Sequence, residues 1–229
     1  MKRLLGILAL SLCTSCAFSD QPLALAEYEA SLPERHAPGL AGRKVCIESV
    51  EYAPGEQRGW SGGEPDATPD GYEYRGFSDA AERQWAEHLK AQQDAAGEPL
   101  VIGYVRNGFG MTTADVVTRD DPAAWFAEML RLEIVGQGGE VVATREAADV
   151  TVRAVVRHVD VDLYMTTKSH LVVDVELVSG SATRTLSLHG YGTKTAWWGT
   201  ALEYYGAIRN AAQQLLWRLL PELAVEAAA

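Results

Sequence analysis

Basic side chains are in short supply. The 229 residues hold 20 lysines and arginines against 31 aspartates and glutamates, a formal net charge of −11. Such a surface repels phosphate backbones and anionic headgroups, which argues against nucleic acid as a partner. No basic amphipathic helix is present to bind a membrane electrostatically. Cysteine is scarcer still, with Cys13, Cys16 and Cys46 alone. Cys46 lies in RKVCIESVEY, an alternating stretch where a lone cysteine is a small buried hydrophobe, and no adjacent base marks it as a nucleophile. Long apolar runs are missing too. Residues 4–12 (LLGILALSL) form a nine-residue run, about 13 Å of helix, whereas a bilayer span needs roughly 20 residues. There is no Gly-Lys-Ser/Thr ending of a phosphate loop and no His-Glu-x-x-His pair.

The amino terminus is more informative. Met1-Lys2-Arg3 precedes the apolar run, and small Thr14 and Ser15 follow it, the layout of a secretory signal peptide over residues 1–15. Cys16 stands directly after that pair. LCTSC resembles a bacterial lipobox, with Cys13 where leucine is usual. The resemblance implies cleavage before Cys16 and lipidation of Cys16; more than one acyl chain is the level at which anchoring becomes stable. The competing reading cuts elsewhere and frees a soluble periplasmic protein. Lys2 and Arg3 leave with the signal, so 18 basic residues face 31 acidic ones and the mature charge is −13. Only Cys46 would then keep a thiol, and no disulfide can close within one chain.

Residues 16–42 are small, polar and proline-punctuated and read as a lipidated start and flexible tether. Residues 43–53 alternate and predict a first strand. Residues 54–76 are dense in glycine, proline and acid, hence loop. A helix follows, capped by Asp79 with Glu82 three residues on. Its stripe of Ala81, Trp85 and Leu89 is too thin for a core helix, so 54–98 reads as an acidic surface insertion docked through Trp85.

RNGFGMTTADVV (residues 106–117) poses the main local question, since its glycines suggest a phosphate cradle. A cradle must open directly into a helix, whose free N–H groups meet the anion. Here TTADVVT intervenes, and its β-branched residues favour extended chain. NGFG is therefore a turn, with Asn107-Gly108 tolerating positive φ. The helix comes later, over 121–136, with Asp121 as N-cap and Pro122 at its first position. Trp125, Met129 and Leu132 line one face, Phe126, Leu130 and Ile134 lie beside them, and glycines 136, 138 and 139 stop it.

Residues 140–144 predict a short strand. Residues 149–165, 169–180 and TRTLSLHGYGTKT alternate and predict an antiparallel three-stranded meander. A last helix is expected from about Ala196 to Leu220, stopped by Pro221, with Trp198, Ala201, Tyr205, Ile208, Ala212, Leu215 and Leu219 as its stripe. Residues 221–229 are left as a tail. The expected fold class is α+β: a two-layer sandwich in which a mainly antiparallel sheet carries two helices on one face, a single domain over 43–220.

The order of signal, lipobox, strand, IGYVRNGFGMTTADVV, the Trp125 helix, three long strands and an alanine-rich terminal helix resembles the YajG family of bacterial lipoproteins. The likeness runs over roughly 43–220, with 54–98 as an insertion of this chain's own. It implies an outer-membrane lipoprotein on the periplasmic face of a Gram-negative cell, and Ala17 after Cys16 is compatible with that sorting. The family supplies no catalytic residues to transfer. Its module is similar to those of CsgG-like and LpoB-like envelope lipoproteins, which act by contacting other proteins.

Two residue groups could carry function. His158, Asp160 and Asp162 alternate on one predicted strand, His170, Asp174 and Glu176 on the next, and His189 follows on the third; across strands they could bind zinc. A solvated polar face of an acidic protein reads the same way and is preferred, so no metal, cofactor or catalytic residue is assigned. The aromatics Trp197 and Tyr204, partly off the terminal helix stripe, are the chosen partner-binding residues. The function expected is a non-catalytic interaction or scaffolding module, tethered to the membrane by lipid and contacting an envelope protein, with self-association open through a strand edge. The alternatives are a metal-binding or hydrolytic envelope protein using the His/Asp/Glu face, and an auxiliary subunit of a CsgG-like secretion assembly.

Overall fold

The computed structural model describes residues 19–55, 68–164, 166–195 and 199–226. In chain order they form β1 (Gln21–Pro22), β2 (Lys44–Tyr52), α1 (Asp79–Gln93), β3 (Leu100–Arg106), β4 (Thr112–Thr118), α2 (Pro122–Gly136), β5 (Glu140–Val141), β6 (Val150–Tyr164), β7 (Thr166–Ser179), β8 (Ala182–Lys194) and α3 (Ala201–Glu226).

The valine-rich alternation of β6 makes it the spine of the sheet, since β-branched side chains pack well on a pleated surface. On one side β7 runs antiparallel along it, followed by β8. The other side is shared. β2 pairs parallel with its first half, to Tyr52 beside Val156, and β3 pairs parallel with its second half, from Gly103 beside Val161. β5 extends β2, while β4 and then β1 extend β3. The fold is α+β as expected, and the meander is present. The sheet is more mixed than alternation suggests: four of its seven pairings are parallel, although the longest are antiparallel. Parallel partners are distant in sequence, so local pattern does not register them.

α2 and α3 bury their apolar sides with one face of the sheet, Phe126, Met129, Ile208 and Leu215 forming one core with Val152, Val156, Leu171 and Val173. The closest approach is between β8 and α3. A side chain at Gly190 or Gly192 would overlap the carbonyls of Ala211 and Ala207, so glycine on the strand and alanine on the helix let the two backbones meet. Asp121 caps α2 by accepting from Ala123 N at 2.9 Å. Ser78, not Asp79, caps α1, accepting from Ala81 N.

Pro221 does not stop the last helix: α3 continues to Glu226 with the proline inside it. Proline has no N–H, so the Trp217 carbonyl one turn earlier loses its helical donor. His36 supplies the replacement. Its ring lies 3.7 Å from the Trp217 ring, and its Nε2 donates to the Trp217 carbonyl at 2.7 Å.

Residues 19–42 are no tether. Leu23, Ala24, Leu32 and Leu40 are core residues, and the intervening backbone is pinned by side chains from far along the chain. Trp85 donates to Ala24 O at 3.1 Å, and Asp120 accepts from Leu25 N at 2.7 Å. Glu133, 1% exposed in α2, accepts from Ser31 N and Ser31 Oγ at 2.5 Å each and from Leu32 N at 3.1 Å. Gln137 accepts from Ala37 N and donates to Pro33 O. These backbone groups of an irregular segment thereby gain partners that secondary structure would otherwise supply.

NGFG is a turn. It joins antiparallel β3 and β4, and Asn107 Oδ1 accepts from Phe109 N and Met111 N at 3.0 Å each. The left-handed residue is Gly110, at φ 79°, rather than Asn107 or Gly108.

Candidate functional site

Where β2 leaves β6 and before β3 joins it, the sheet opens into a groove of about 410 Å³. Tyr52, Leu100 and Tyr104 are among its apolar lining, and Glu98, His158 and Asp160 among its polar lining. A bulge lies beside the opening. The β6–β7 register slips between Val156 and His158, leaving Arg157 as an extra residue. Such a bulge kinks a strand and re-aims its side chains. Val159 belongs to the core and also borders the groove, which His158 and Asp160 line on either side of it in sequence.

Cross-strand pairing sets His158, Val172 and His189 in one row and Asp160, His170 and Tyr191 in the next. His170 Nδ1 lies 3.1 Å from His189 Nε2, a distance at which one nitrogen donates and the other accepts. Asp160 accepts from His170 N at 3.1 Å, and His158 Nε2 lies 3.4 Å from its carboxylate. Desolvation, with His170, Arg218 and His158 close by, lowers His189 to about 4, so its ring is neutral at pH 7.

The other carboxylates of this face are held by arginines. Asp162 lies 2.9 Å from Arg106, Asp174 2.8 Å from Arg157, and Glu176 2.7 Å from Arg153, which also holds Glu48. Burial raises Asp162, and the arginine hydrogen bond lowers Asp174. The alternating His/Asp/Glu pattern is thus divided between an imidazole row and ion pairs. Among the described residues, no three His, Cys, Asp or Glu side chains converge as metal ligands. Chemically, His158 can donate or accept a hydrogen bond at the groove, while His170 and His189 bond each other on the neighbouring strands.

Cys16 and Trp197 lie outside the described residues. Tyr204, expected to face a partner, is 2% exposed. It sits one turn into α3 with its hydroxyl close to Gly199, and burial, with Glu203 adding, lifts its phenol to about 12. It is a core residue: the face of α3 turned inward is wider than the single stripe read from spacing.

A buried ion pair escaped the sequence reading. Glu27 and Arg209 meet at 2.7 Å with side chains 1% exposed. Arg209 also donates to Arg75 O and stacks over Phe77 at 4.4 Å. Tyr205 donates to Ala26 O at 2.5 Å and packs between Trp85 and Phe77. Burial raises the Glu27 carboxyl even against the pull of Arg209. The available signal was an arginine next to Tyr205 and Ile208 on the apolar side of a helix, where a charge needs a partner.

No family model matches the chain, and no curated protein matches its sequence. Among solved structures it is similar to protein XCC0632 from Xanthomonas campestris, described under family model DUF330, with 12% identity, a TM-score of 0.48 and coverage of 88% of this chain and 94% of that one. An uncharacterized protein follows with 10% identity, a TM-score of 0.43 and coverage of 90% and 98%. The hypothetical protein CT253 from Chlamydia trachomatis has 9% identity, a TM-score of 0.32 and coverage of 82% and 98%. Likenesses of this size carry no statement about function.

Proposed function

We propose that this chain is a YajG-like envelope lipoprotein, anchored through Cys16 to the periplasmic face of the outer membrane, which works by binding another protein rather than by catalysis. The observation that supports a binding role is the groove between β2 and β3. Tyr52 and Tyr104 line it together with His158, Asp160 and Glu98. Apolar walls with a few placed polar groups are the usual make-up of a recognition site. Asp160 and Glu98 give the groove an acidic bias, which suits a partner segment that brings lysine or arginine. No helix among the described residues is long and apolar enough to cross a membrane, so attachment in this reading falls to the lipid on Cys16.

The test is photo-cross-linking in intact cells from Tyr52 and Tyr104, with Ser181 as an exposed control. Discrete adducts with one envelope protein from both groove positions, and none from Ser181, are expected. Turnover of a substrate by the purified protein, abolished by replacing His158 or Asp160, would replace the binding role with an enzymatic one.

A further inference from the structure

Resting on Cys16 as the anchor, we infer that the β3–β4 turn is a membrane-contacting tip that enters the bilayer interface beside the acyl chains. β1 runs parallel to β4, with Gln21 beside Val116 and Pro22 beside Val117. The chain therefore reaches β1 from the side of Thr112, where the β3–β4 turn lies. Cys16 stands five residues before Gln21, a reach of at most about 17 Å. A long tether would let the domain face the membrane in any orientation. A segment built into the sheet this close to the lipid does not.

The turn is suited to that position. Phe109 is 89% exposed and Met111 60%, and Tyr164, at the adjoining end of β6, is 42% exposed. The remaining exposed large apolar residues among those described, Val135 and Val225, lie on α2 and near the end of α3. Residues 107–114 carry no charged side chain. The N–H groups of Asn107, Phe109, Gly110 and Met111 all have acceptors within the turn, which removes much of the cost of taking backbone out of water. Tyr164 donates its hydroxyl to Gly108 O at 3.3 Å, fastening the tip to β6. An apolar point with a tyrosine behind it matches the depth profile of a bilayer interface, where aromatic rings with a polar end sit at headgroup level.

The test uses the full lipoprotein, processed in cells and reconstituted into vesicles of phosphatidylethanolamine and phosphatidylglycerol, in a Cys46→Ala background. Phe109→Cys or Met111→Cys carries an environment-sensitive NBD label. Ser181→Cys, in the β7–β8 turn at the other end of strands about 45 Å long, is the control. The expected result is co-flotation with vesicles, a blue-shifted NBD emission at 109 and 111, and quenching there by lipids spin-labelled near the headgroup, with an aqueous, unquenched label at 181. Flotation with all three labels equally aqueous overturns the membrane tip while leaving the anchor standing, and leaves Phe109 and Met111 to a protein partner. Failure to float overturns the anchor and the tip together.

Discussion

Replacing Arg209 with methionine should destabilise the fold strongly and in a pH-dependent way. The substitution keeps an apolar stem of similar length and removes a guanidinium that sits 2.7 Å from Glu27 and also bonds Arg75 O. Glu27, 6% exposed, would be left with Tyr205 at 3.3 Å and the Tyr28 N–H. Stranding one member of a buried ion pair costs about 3–5 kcal/mol. With a urea dependence of about 2 kcal/mol per M, the unfolding midpoint should fall by about 1.5–2.5 M. Burial already raises Glu27 above its unfolded value, and loss of Arg209 raises it further. A carboxyl with a raised folded pKa favours the folded state fully below its unfolded pKa and loses that contribution as pH climbs through the folded one. The deficit of Arg209→Met should therefore be larger at pH 7.5 than at pH 5, and Glu27→Gln added to it should restore more than half of the loss. Urea titrations followed by circular dichroism at the two pH values decide the matter. A midpoint within about 0.5 M of the parent at both pH values would mean that the pair carries little of the fold's stability.

Other outcomes follow from the same structure. His189 is lowered from 6.5 to about 4, so the unfolded chain binds the extra proton between those values and stability falls as pH drops from 6.5 to 4. The upper bound is about 3 kcal/mol, and solvent screening leaves about 1–2 kcal/mol; His189→Asn should flatten that limb of a urea-midpoint profile. Gly190→Val would drive a side chain into the Ala211 carbonyl and should cost about 3 kcal/mol or more, measured as a melting shift, whereas the same change at Gly108, which has open space, should cost less than about 1 kcal/mol. His36→Ala should cost about 1–3 kcal/mol by leaving the Trp217 carbonyl without its donor, and a Pro221→Ala background should remove most of that penalty.

Much of the fold was legible because its strongest elements are periodic. The alternation of residues 149–180, the Asp121-Pro122 helix start and the β-branched TTADVVT each state a local preference, and the tertiary structure agrees with it. Legibility failed where a residue's role depends on something distant. Residues 19–42 show no period because their core contacts are made singly, and several of their backbone groups, such as Leu25 N and Ser31 N, are met by side chains, Asp120 and Glu133, from another part of the chain. Pro221 reads as a helix stop by every local rule, and it is overridden because His36, in that same segment, satisfies the carbonyl it strands. Helical spacing sets Tyr204 partly off the stripe, but α3 is covered on more than one side, by the sheet and by the segments holding Tyr74 and Phe77. The groove has no sequence signature at all. It exists because β2 and β3 share one edge of β6, a consequence of topology, with a one-residue bulge at Arg157.

The intact mass of the protein extracted from cell membranes bears most directly on the proposed role. A chain beginning at Cys16 and carrying acyl groups, replaced by the unprocessed precursor when the lipoprotein signal peptidase is inhibited, is the expected result. An unmodified chain recovered from the soluble periplasmic fraction would contradict it.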